Sequence, residues 1–163
     1  MRTDAEKPPL SDAQFSTTDE LLHLLHGEQL LVVNKRRRNG LILYKGQYAE
    51  FAGPGAIVGG SFDASCFKVI PVGELSLVYP QSYEERREAY LTRRQWIRLT
   101  HQFTDRAVAS NRAQLILTQF ENYFDAETVA QLPDEAFARL VGVLPQTIRM
   151  SRIARNASRN RRI

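Results

Sequence analysis

The pattern of apolar and polar positions divides the chain into a strand-rich first half and a helix-rich second half. Between residues 28 and 79, short apolar runs rich in β-branched and aromatic residues are separated by glycine-containing turn signals. From residue 82 onward, apolar residues recur at the three- and four-residue spacing of an α-helix. Residues 1–16 are polar and contain prolines, so we expect a flexible arm there. The pattern predicts an α+β protein whose strands come before most of its helices.

The predicted strands are short and closely spaced along the chain. They are 29–33, 41–45, 48–51, 56–58, 66–70 and the alternating run 75–79. Asn39-Gly40 lies between the first two and is a strong signal for a hairpin turn. The basic run 35–38 before it suits either a solvated turn or a contact with a nucleic-acid backbone. Short strands with frequent turns predict a small antiparallel barrel or β-roll, preceded by a short helix that Thr17 or Thr18 caps.

A long helix is predicted to follow the strands. Ser82 and Glu85 have the spacing of a capping box that begins it. Beyond Arg93 the helix carries one apolar stripe. The stripe comprises Trp96, Leu99, Phe103 and Ala107. Such a stripe packs into the core of the same chain or against its twin in a dimer, and both interpretations fit the sequence. A further helix follows, and residues 125–127 then lead through a short linker into the last two helices.

The last two predicted helices are separated by a short glycine turn. Asp134-Glu135 suits the first turn of a helix, where acidic side chains are favoured. Gly142 stops this helix where a left-handed residue is wanted, and Pro145 fits the first turn of the next one. Two helices joined in this way form the pattern of a helix-turn-helix.

The final predicted helix concentrates positive charge. Its arginines recur at three- and four-residue steps and share one face if the helix continues: Arg149, Arg152, Arg155 and Arg159. No acidic residue follows Glu135, so residues 142–163 carry a formal charge of +6, while the whole chain carries +4 and residues 1–141 therefore carry −2. A basic surface confined to one terminus is typical of contact with nucleic-acid phosphates. A solvated basic tail is the alternative for residues 157–163.

Few other residues suggest chemistry. His23, His26 and His101 lack the partners of a metal site or a catalytic triad, so we expect no catalytic residue, no metal and no cofactor, and we do not expect an enzyme. Cys66, the single cysteine, fits a small buried side chain in a reducing compartment. We expect a cytoplasmic protein without membrane contact, because the chain has neither a long apolar run nor a recognisable signal segment.

The glycine turn and its flanks resemble a known motif. Phe137-Ala138, Gly142-Val143 and Thr147-Ile148 resemble the helix-turn-helix of the Crp/Fnr family of bacterial transcription regulators, although Leu144 stands where the family usually has a serine cap. The predicted order of elements is similar to that family over residues 20–156. The resemblance implies a cyclic-nucleotide-binding-like β-roll with a long dimerisation helix over 17–109. It implies a helix-turn-helix DNA-binding domain with a basic tail over 110–163.

The resemblance implies a DNA-binding transcription regulator. At the start of the last helix, Gln146, Thr147 and Arg149 would face the major groove. Further along, Arg152, Arg155 and Arg159 would bind phosphates. The implied partners are double-stranded DNA, a second copy of the chain through Trp96, Leu99 and Phe103, and RNA polymerase or another transcription factor.

The expected effector response differs from that of nucleotide-binding relatives. Those relatives hold the phosphate with a glycine-glutamate turn and a later arginine, and the turn Gly59-Gly60-Ser61 has neither residue. We therefore expect a regulator that does not respond to cyclic nucleotides. The alternative is an adaptor or interaction module of a transcription complex, which uses the same fold to contact protein or RNA.

Overall fold

The computed structural model describes residues 10–11 and 17–161, which form a mixed α+β fold. Its strands are β1 Leu10–Ser11, β2 Leu31–Val33, β3 Gly40–Lys45, β4 Tyr48–Ala52, β5 Ile57–Val58, β6 Cys66–Val72 and β7 Ser76–Val78. Its α-helices are α1 Thr18–Leu25, α2 Tyr83–Thr104, α3 Ala109–Tyr123, α4 Ala126–Gln131, α5 Asp134–Val141 and α6 Pro145–Asn160. A short 3-10 helix, Gly60–Asp63, lies between β5 and β6. The prediction of an α+β protein with its strands before most of its helices is confirmed.

The strands form two antiparallel sheets. One sheet has the order β1-β7-β2-β5, and the other has the order β4-β3-β6. Strand β1 lies in the segment predicted to be a flexible arm. It pairs with β7, with Leu10 opposite Leu77 and Ser11 opposite Ser76. At these two residues the prediction of a flexible arm differs from the structure. The rest of the predicted arm, residues 1–9 and 12–16, lies outside the described residues.

The hairpin predicted at Asn39-Gly40 is wrong. The strands on either side of it, β2 and β3, belong to different sheets, so the chain crosses between sheets there. Asn39 is fully buried, and its side chain donates to the carbonyls of Asn34 and Arg37 and accepts from the amide of Ser76. The asparagine thus holds a crossover loop together. The two-residue hairpin is instead formed by β3 and β4, in which Lys45 pairs with Tyr48.

Strand β3 lies between two hydrophobic cores, and all six of its residues are buried. Because side chains alternate along a strand, Leu41 and Leu43 point into one core, and Ile42 and Tyr44 point into the other. The first core is closed by α1 and the four-stranded sheet. The second core is closed by the C-terminal helices α3 to α6.

The second core is continuous from the sheet to the last helix. In it the ring of Phe51 on β4 lies 4.9 Å from the ring of Phe120 on α3, and Phe120 lies 5.0 Å from Phe137 on α5. Arg139 on α5 adds a polar contact, since it donates to the carbonyl of Gly46 in the β3–β4 turn at 2.7 Å. The C-terminal helices therefore pack directly on the sheet, across the predicted boundary between residues 109 and 110.

Two local predictions for the helical half have different outcomes. The Ser82 cap is confirmed, because the Ser82 hydroxyl accepts from the amide of Glu85 at 3.1 Å, while the Glu85 carboxylate accepts from the amide of Gln81 and not from that of Ser82. The prediction of a short linker at residues 125–127 is wrong. Asp125 accepts from the amide of Thr128 at 2.7 Å and caps an additional helix, α4. The Asp-Ala-Glu sequence is a helix N-terminus because its aspartate satisfies an otherwise free backbone amide.

Candidate nucleic-acid interface

Helices α5 and α6 are joined by a three-residue turn whose geometry depends on Gly142. This residue has φ 68° and ψ 42°, in the left-handed region where residues with a Cβ are disfavoured. The amide of Val143 donates to the carbonyl of Ala138 at 3.1 Å, which is the bond expected beyond a glycine that ends a helix. Leu144 then returns to extended backbone, and Pro145 is the first residue of α6. The glycine stop and the proline start predicted from the sequence are confirmed.

A residue that the sequence did not single out, Arg112 on α3, supports this turn. Its guanidinium donates to the carbonyl of Val141 at 3.0 Å and to that of Gly142 at 3.2 Å. It also donates to the carbonyl of Arg106 at 2.7 Å. The last carbonyls of a helix have no partner within that helix, and here an arginine supplies one. The orientation of α5 relative to α6 is therefore supported from the start of α3.

The outward face of α6 begins with the residues predicted to contact bases. Gln146 and Arg149 are exposed, and Thr147 is half-buried. Among the described residues, the Arg149 guanidinium makes no ion pair. Ile148, between them, is fully buried against the second core. The start of α6 thus presents a glutamine and an unpaired arginine to solvent from a helix that is anchored on its opposite side.

The remaining predicted DNA-contacting arginines lie on the side of α6 that faces the protein. Arg152 donates to the carbonyls of Val129 and Leu132 at 3.3 and 2.8 Å, and its guanidinium lies 3.3 Å from the Asp134 carboxylate. It also stacks over the ring of Phe137 at 5.0 Å. Desolvation by burial lowers the pKa of Arg152. This arginine connects α6 to both ends of the α4–α5 junction.

Arg155 and Arg159 share one acidic partner on α3. The Glu121 carboxylate lies 2.5 Å from the Arg155 guanidinium and 2.7 Å from that of Arg159. Arg155 donates further to the Gln114 side chain and to the Thr118 hydroxyl, at 2.9 and 3.0 Å. The arginines of α6 therefore do not form the single outward face expected from their spacing. Arg149 faces solvent, whereas Arg152 and Arg155 are half-buried and bind the helix to its own chain.

The apolar stripe on α2 packs into its own chain. The indole of Trp96 donates to the carbonyl of Pro54 at 3.3 Å, and its ring lies 5.3 Å from that of Phe51. Gly53 is required beneath the indole because a Cβ at that position would collide with the ring. Phe103 also packs against the second core, and Leu99 is half-buried beside it. The structure thus uses the three residues of the predicted dimer stripe as intramolecular packing.

A buried cluster of four charges, which the sequence pattern did not indicate, holds α2 against the strands. Arg93 donates to both oxygens of Asp63, at 2.9 and 3.2 Å, and to Glu50 at 2.8 Å. Lys45 lies 3.1 Å from Asp63, which is fully buried. Burial alone would raise the pKa of Asp63, but the hydrogen bonds and charge of Arg93 outweigh it and lower that pKa. Burial by itself would lower the pKa of Arg93, but the hydrogen bonds and charges of Asp63 and Glu50 outweigh it and raise that pKa.

The turn Gly59-Gly60-Ser61, where a nucleotide-binding β-roll would hold a phosphate, is hydrogen-bonded to this cluster. The amide of Gly59 donates to the carboxylate of Asp63 at 2.7 Å. A backbone amide that already binds an internal carboxylate is not free to bind a phosphate, and the nearby carboxylate of Glu50 would repel one. The geometry here suits a structural link and not an anion site.

His26 and Cys66 occupy structural positions. The other two histidines, His23 and His101, are exposed. His26 makes a 2.6 Å hydrogen bond through Nε2 with the carbonyl of Cys66, and burial raises the pKa of the Cys66 thiol. Among residues 10–11 and 17–161, no group of three or more metal-ligating side chains is assembled. In the same residues, no helix combines the length and apolar character needed to cross a bilayer.

Comparison with known proteins does not assign the chain to a family. No protein-family model matches the sequence, and no curated protein matches it either.

Proposed function

We propose that this protein is a DNA-binding transcription regulator whose α5–α6 unit acts as a helix-turn-helix. The observation that carries the proposal is the position of α6. Its inner side is anchored by Ile148 and Arg152, while the first turns present Gln146 and Arg149 to solvent. A helix that enters the major groove needs this combination of a rigid inner face and hydrogen-bonding side chains near its N-terminus.

The side chains at this end of α6 suit base contacts. Arginine can donate two hydrogen bonds to the edge of guanine, and glutamine can pair with adenine. Arg149 is available for such a contact because no described acidic residue neutralises it. Arg161 is exposed, so it can add a contact to the DNA backbone beyond the end of the helix.

The proposed regulator does not depend on a cyclic nucleotide. Asp63 satisfies the amide of Gly59, and both terminal nitrogens of Arg93 donate to Asp63, one of them also to Glu50. With these groups paired internally, a phosphate would have to displace a buried carboxylate before it could bind. We expect calorimetric titration with cyclic AMP or cyclic GMP to show no heat of binding, and a micromolar complex with either nucleotide would contradict this expectation.

We also propose that the regulator is a homodimer in which α2 contributes the interface. Because Trp96 and Phe103 pack inside the chain, the available surface is the flank of the stripe that carries Leu91 and Gln102. Leu91 is 44% exposed. A dimeric mass in sedimentation equilibrium, reduced by Leu91→Glu with Gln102→Glu, would support this interface. A monomeric mass for the unchanged chain would exclude it.

The experiment that tests DNA binding is a titration of labelled duplexes at low and at physiological salt. The unchanged chain should bind, and its affinity should fall as salt rises, because binding releases counterions. Arg149→Ala should weaken binding to the preferred duplex by about 1–3 kcal/mol and weaken random duplex little, which is the behaviour of a base contact.

Arg86→Ala is the matched control for this titration. It removes the same charge from an exposed position on α2. It should leave both affinities unchanged. If the unchanged chain binds no duplex at low salt, the DNA-binding proposal fails.

A second candidate function is an adaptor that uses the same surface to contact protein. The observation that favours it is the exposure of three apolar side chains around α6, since Leu144, Met150 and Ile153 are 70%, 60% and 55% exposed. Exposed apolar clusters commonly mark protein-binding surfaces. The adaptor would be favoured if the unchanged chain bound no duplex but formed a complex with another protein, and if Met150→Glu abolished that complex.

A further inference from the structure

The outward face of α6 combines polar and apolar side chains in a way that phosphate binding alone does not explain. Met150 and Ile153 lie three residues apart, and they share this face with Gln146. They are 60% and 55% exposed, whereas Ile148 on the opposite side is fully buried. Single exposed apolar residues are ordinary on protein surfaces. Two of them directly after the base-contacting candidates, on the same face of the helix, indicate a surface suited to apolar contact.

The surroundings of these two residues favour DNA as the occupant. Helix α6 contains no acidic residue, and Arg149 directly precedes Met150 without an internal ion-pair partner among the described residues. Arg161 extends the exposed positive charge beyond the end of the helix. A cationic rim around an apolar strip complements a groove with phosphates at its edges and methyl groups on its floor.

The only apolar group in the major groove that distinguishes one base pair from the others is the C5 methyl group of thymine. Met150 has a flexible thioether chain and Ile153 a branched aliphatic one, so both can cover a methyl group without a hydrogen-bond partner. Neither can satisfy the polar edges of guanine or adenine. The chemistry of this strip therefore matches thymine and disfavours bases whose polar groups it would bury unpaired.

We infer that Met150 and Ile153 are specificity-determining residues that contact thymine methyl groups in the major groove. This inference rests on the proposed DNA-binding function and extends it to the sequence class that the site prefers. Gln146 and Arg149 supply the hydrogen bonds to adjacent bases, and the apolar pair selects thymine at the neighbouring positions. The preferred half-site thus contains thymines next to the purine that Arg149 contacts.

The test compares thymine with uracil, which pairs identically but lacks the C5 methyl group. A preferred duplex is first selected from a pool of random sequences, and its thymines are then replaced by uracil one position at a time. At the contacted positions we expect affinity to fall roughly threefold to fivefold, the size of the effect of one buried methyl group. At other positions the replacement should have no effect.

The variant arm uses Met150→Gln with Ile153→Gln, which should bind the thymine and uracil duplexes equally. Val108→Gln, a change at a 54% exposed apolar side chain between α2 and α3, is the matched control and should retain the discrimination. Circular dichroism of each variant verifies that it folds. Equal affinity of the unchanged chain for thymine and uracil duplexes, or the absence of any sequence preference, would overturn this inference and leave DNA binding intact.

Two further outcomes complete the test. If discrimination persists in the double variant, Met150 and Ile153 are not the residues responsible and the inference fails. If the unchanged chain binds no duplex at low salt, the inference and the proposed function fail together. Loss of thymine preference in the double variant alone, with the control unaffected, is the result that supports the assignment.

Discussion

Asp63 shows how a single buried carboxylate can determine the position of a long helix. It is fully buried and receives hydrogen bonds from Arg93 and from the amide of Gly59. A buried charge pair adds little net stability compared with an apolar pair, but removal of one partner leaves an uncompensated charge in the interior. The cluster therefore specifies how α2 is placed on the strands more than it stabilises the fold.

We expect Arg93→Met to lower the free energy of unfolding by about 3 kcal/mol, the lower part of the range for a broken buried ion pair, because Lys45 still faces Asp63 at 3.1 Å. Urea denaturation followed by circular dichroism measures the change. Arg94→Met, at the exposed neighbouring position, is the control and should cost less than 1 kcal/mol, as about 0–1 kcal/mol is typical of exposed charges. Equal effects of the two substitutions would show that the cluster is not structural.

The same carboxylate predicts a pH dependence. Its pKa in the folded protein lies below the ordinary value of 3.8, so folding favours the charged form. The contribution to stability is present above the pKa of the unfolded chain and is lost as pH falls through the lower, folded pKa. Between about pH 5 and the acid limit of folding, Asp63→Asn should therefore show a shallower loss of stability than the unchanged chain. Identical pH profiles would contradict this.

At the scale of elements, α6 has two faces with different partners. Its inner face is bound through Arg152, Arg155 and Arg159 to α3, α4 and α5, and its outer face is free of ion pairs within the described residues. Each three-residue step moves a side chain about 60° around the helix, so Arg149 and Arg155 lie about 120° apart. The spacing alone does not say which of them faces the protein. The acidic partners, Glu121 and Asp134, lie on other elements.

Glu121 provides a prediction about the role of this inner face. Glu121→Gln should lower the unfolding midpoint, since two ion pairs are lost, and should raise affinity for random duplex roughly fivefold if Arg155 and Arg159 become available to phosphates. Glu88→Gln on α2 changes the net charge by the same amount at an exposed position and controls for long-range electrostatics. Lower stability with unchanged DNA affinity would show that these arginines serve only the fold.

At the scale of the whole molecule, the strands and the C-terminal helices share one core. Phe51 on β4 contacts aromatic rings from α2 and α3, and the aromatic chain continues to Phe137 on α5. Separate domains joined by a flexible hinge would instead have separate cores. The position of α6 is therefore coupled to the packing of the sheet.

This shared core predicts one cooperative unfolding transition. Fluorescence of Trp96, which lies beside the sheet, and circular dichroism of the helices should give coincident denaturation curves. Phe51→Ala should lower the free energy of unfolding by about 3–5 kcal/mol and shift both curves together, because it removes the ring that links the two halves. Phe62→Ala, at a 40% exposed position, should shift them much less. Two separate transitions would indicate independent domains.

Several local features of this protein follow directly from its amino-acid sequence. The glycine at the end of α5, the proline that begins α6 and the Ser82–Glu85 cap follow from backbone chemistry within a few residues, and each is present in the structure. Most strand positions and the order of strands and helices are equally local, because they depend on hydrophobic periodicity. Two local predictions are wrong for different reasons. The turn signal at Asn39 is overridden by the hydrogen bond of this side chain with Ser76 on β7. At residues 125–127 the sequence pattern did not distinguish a linker from the beginning of α4.

Long-range contacts, by contrast, determine which side chains face outward and which are paired. Asn39 accepts a hydrogen bond from Ser76 on β7. Arg93 binds Asp63 at the end of the 3-10 helix, and Arg155 binds Glu121 on α3. These pairs are separated by roughly thirty to forty residues. No helical or strand period connects such positions, so the sequence pattern cannot express them. The division of α6 into an anchored face and an open face follows from those long-range contacts, because a charge is available to a partner only where the fold leaves it unpaired.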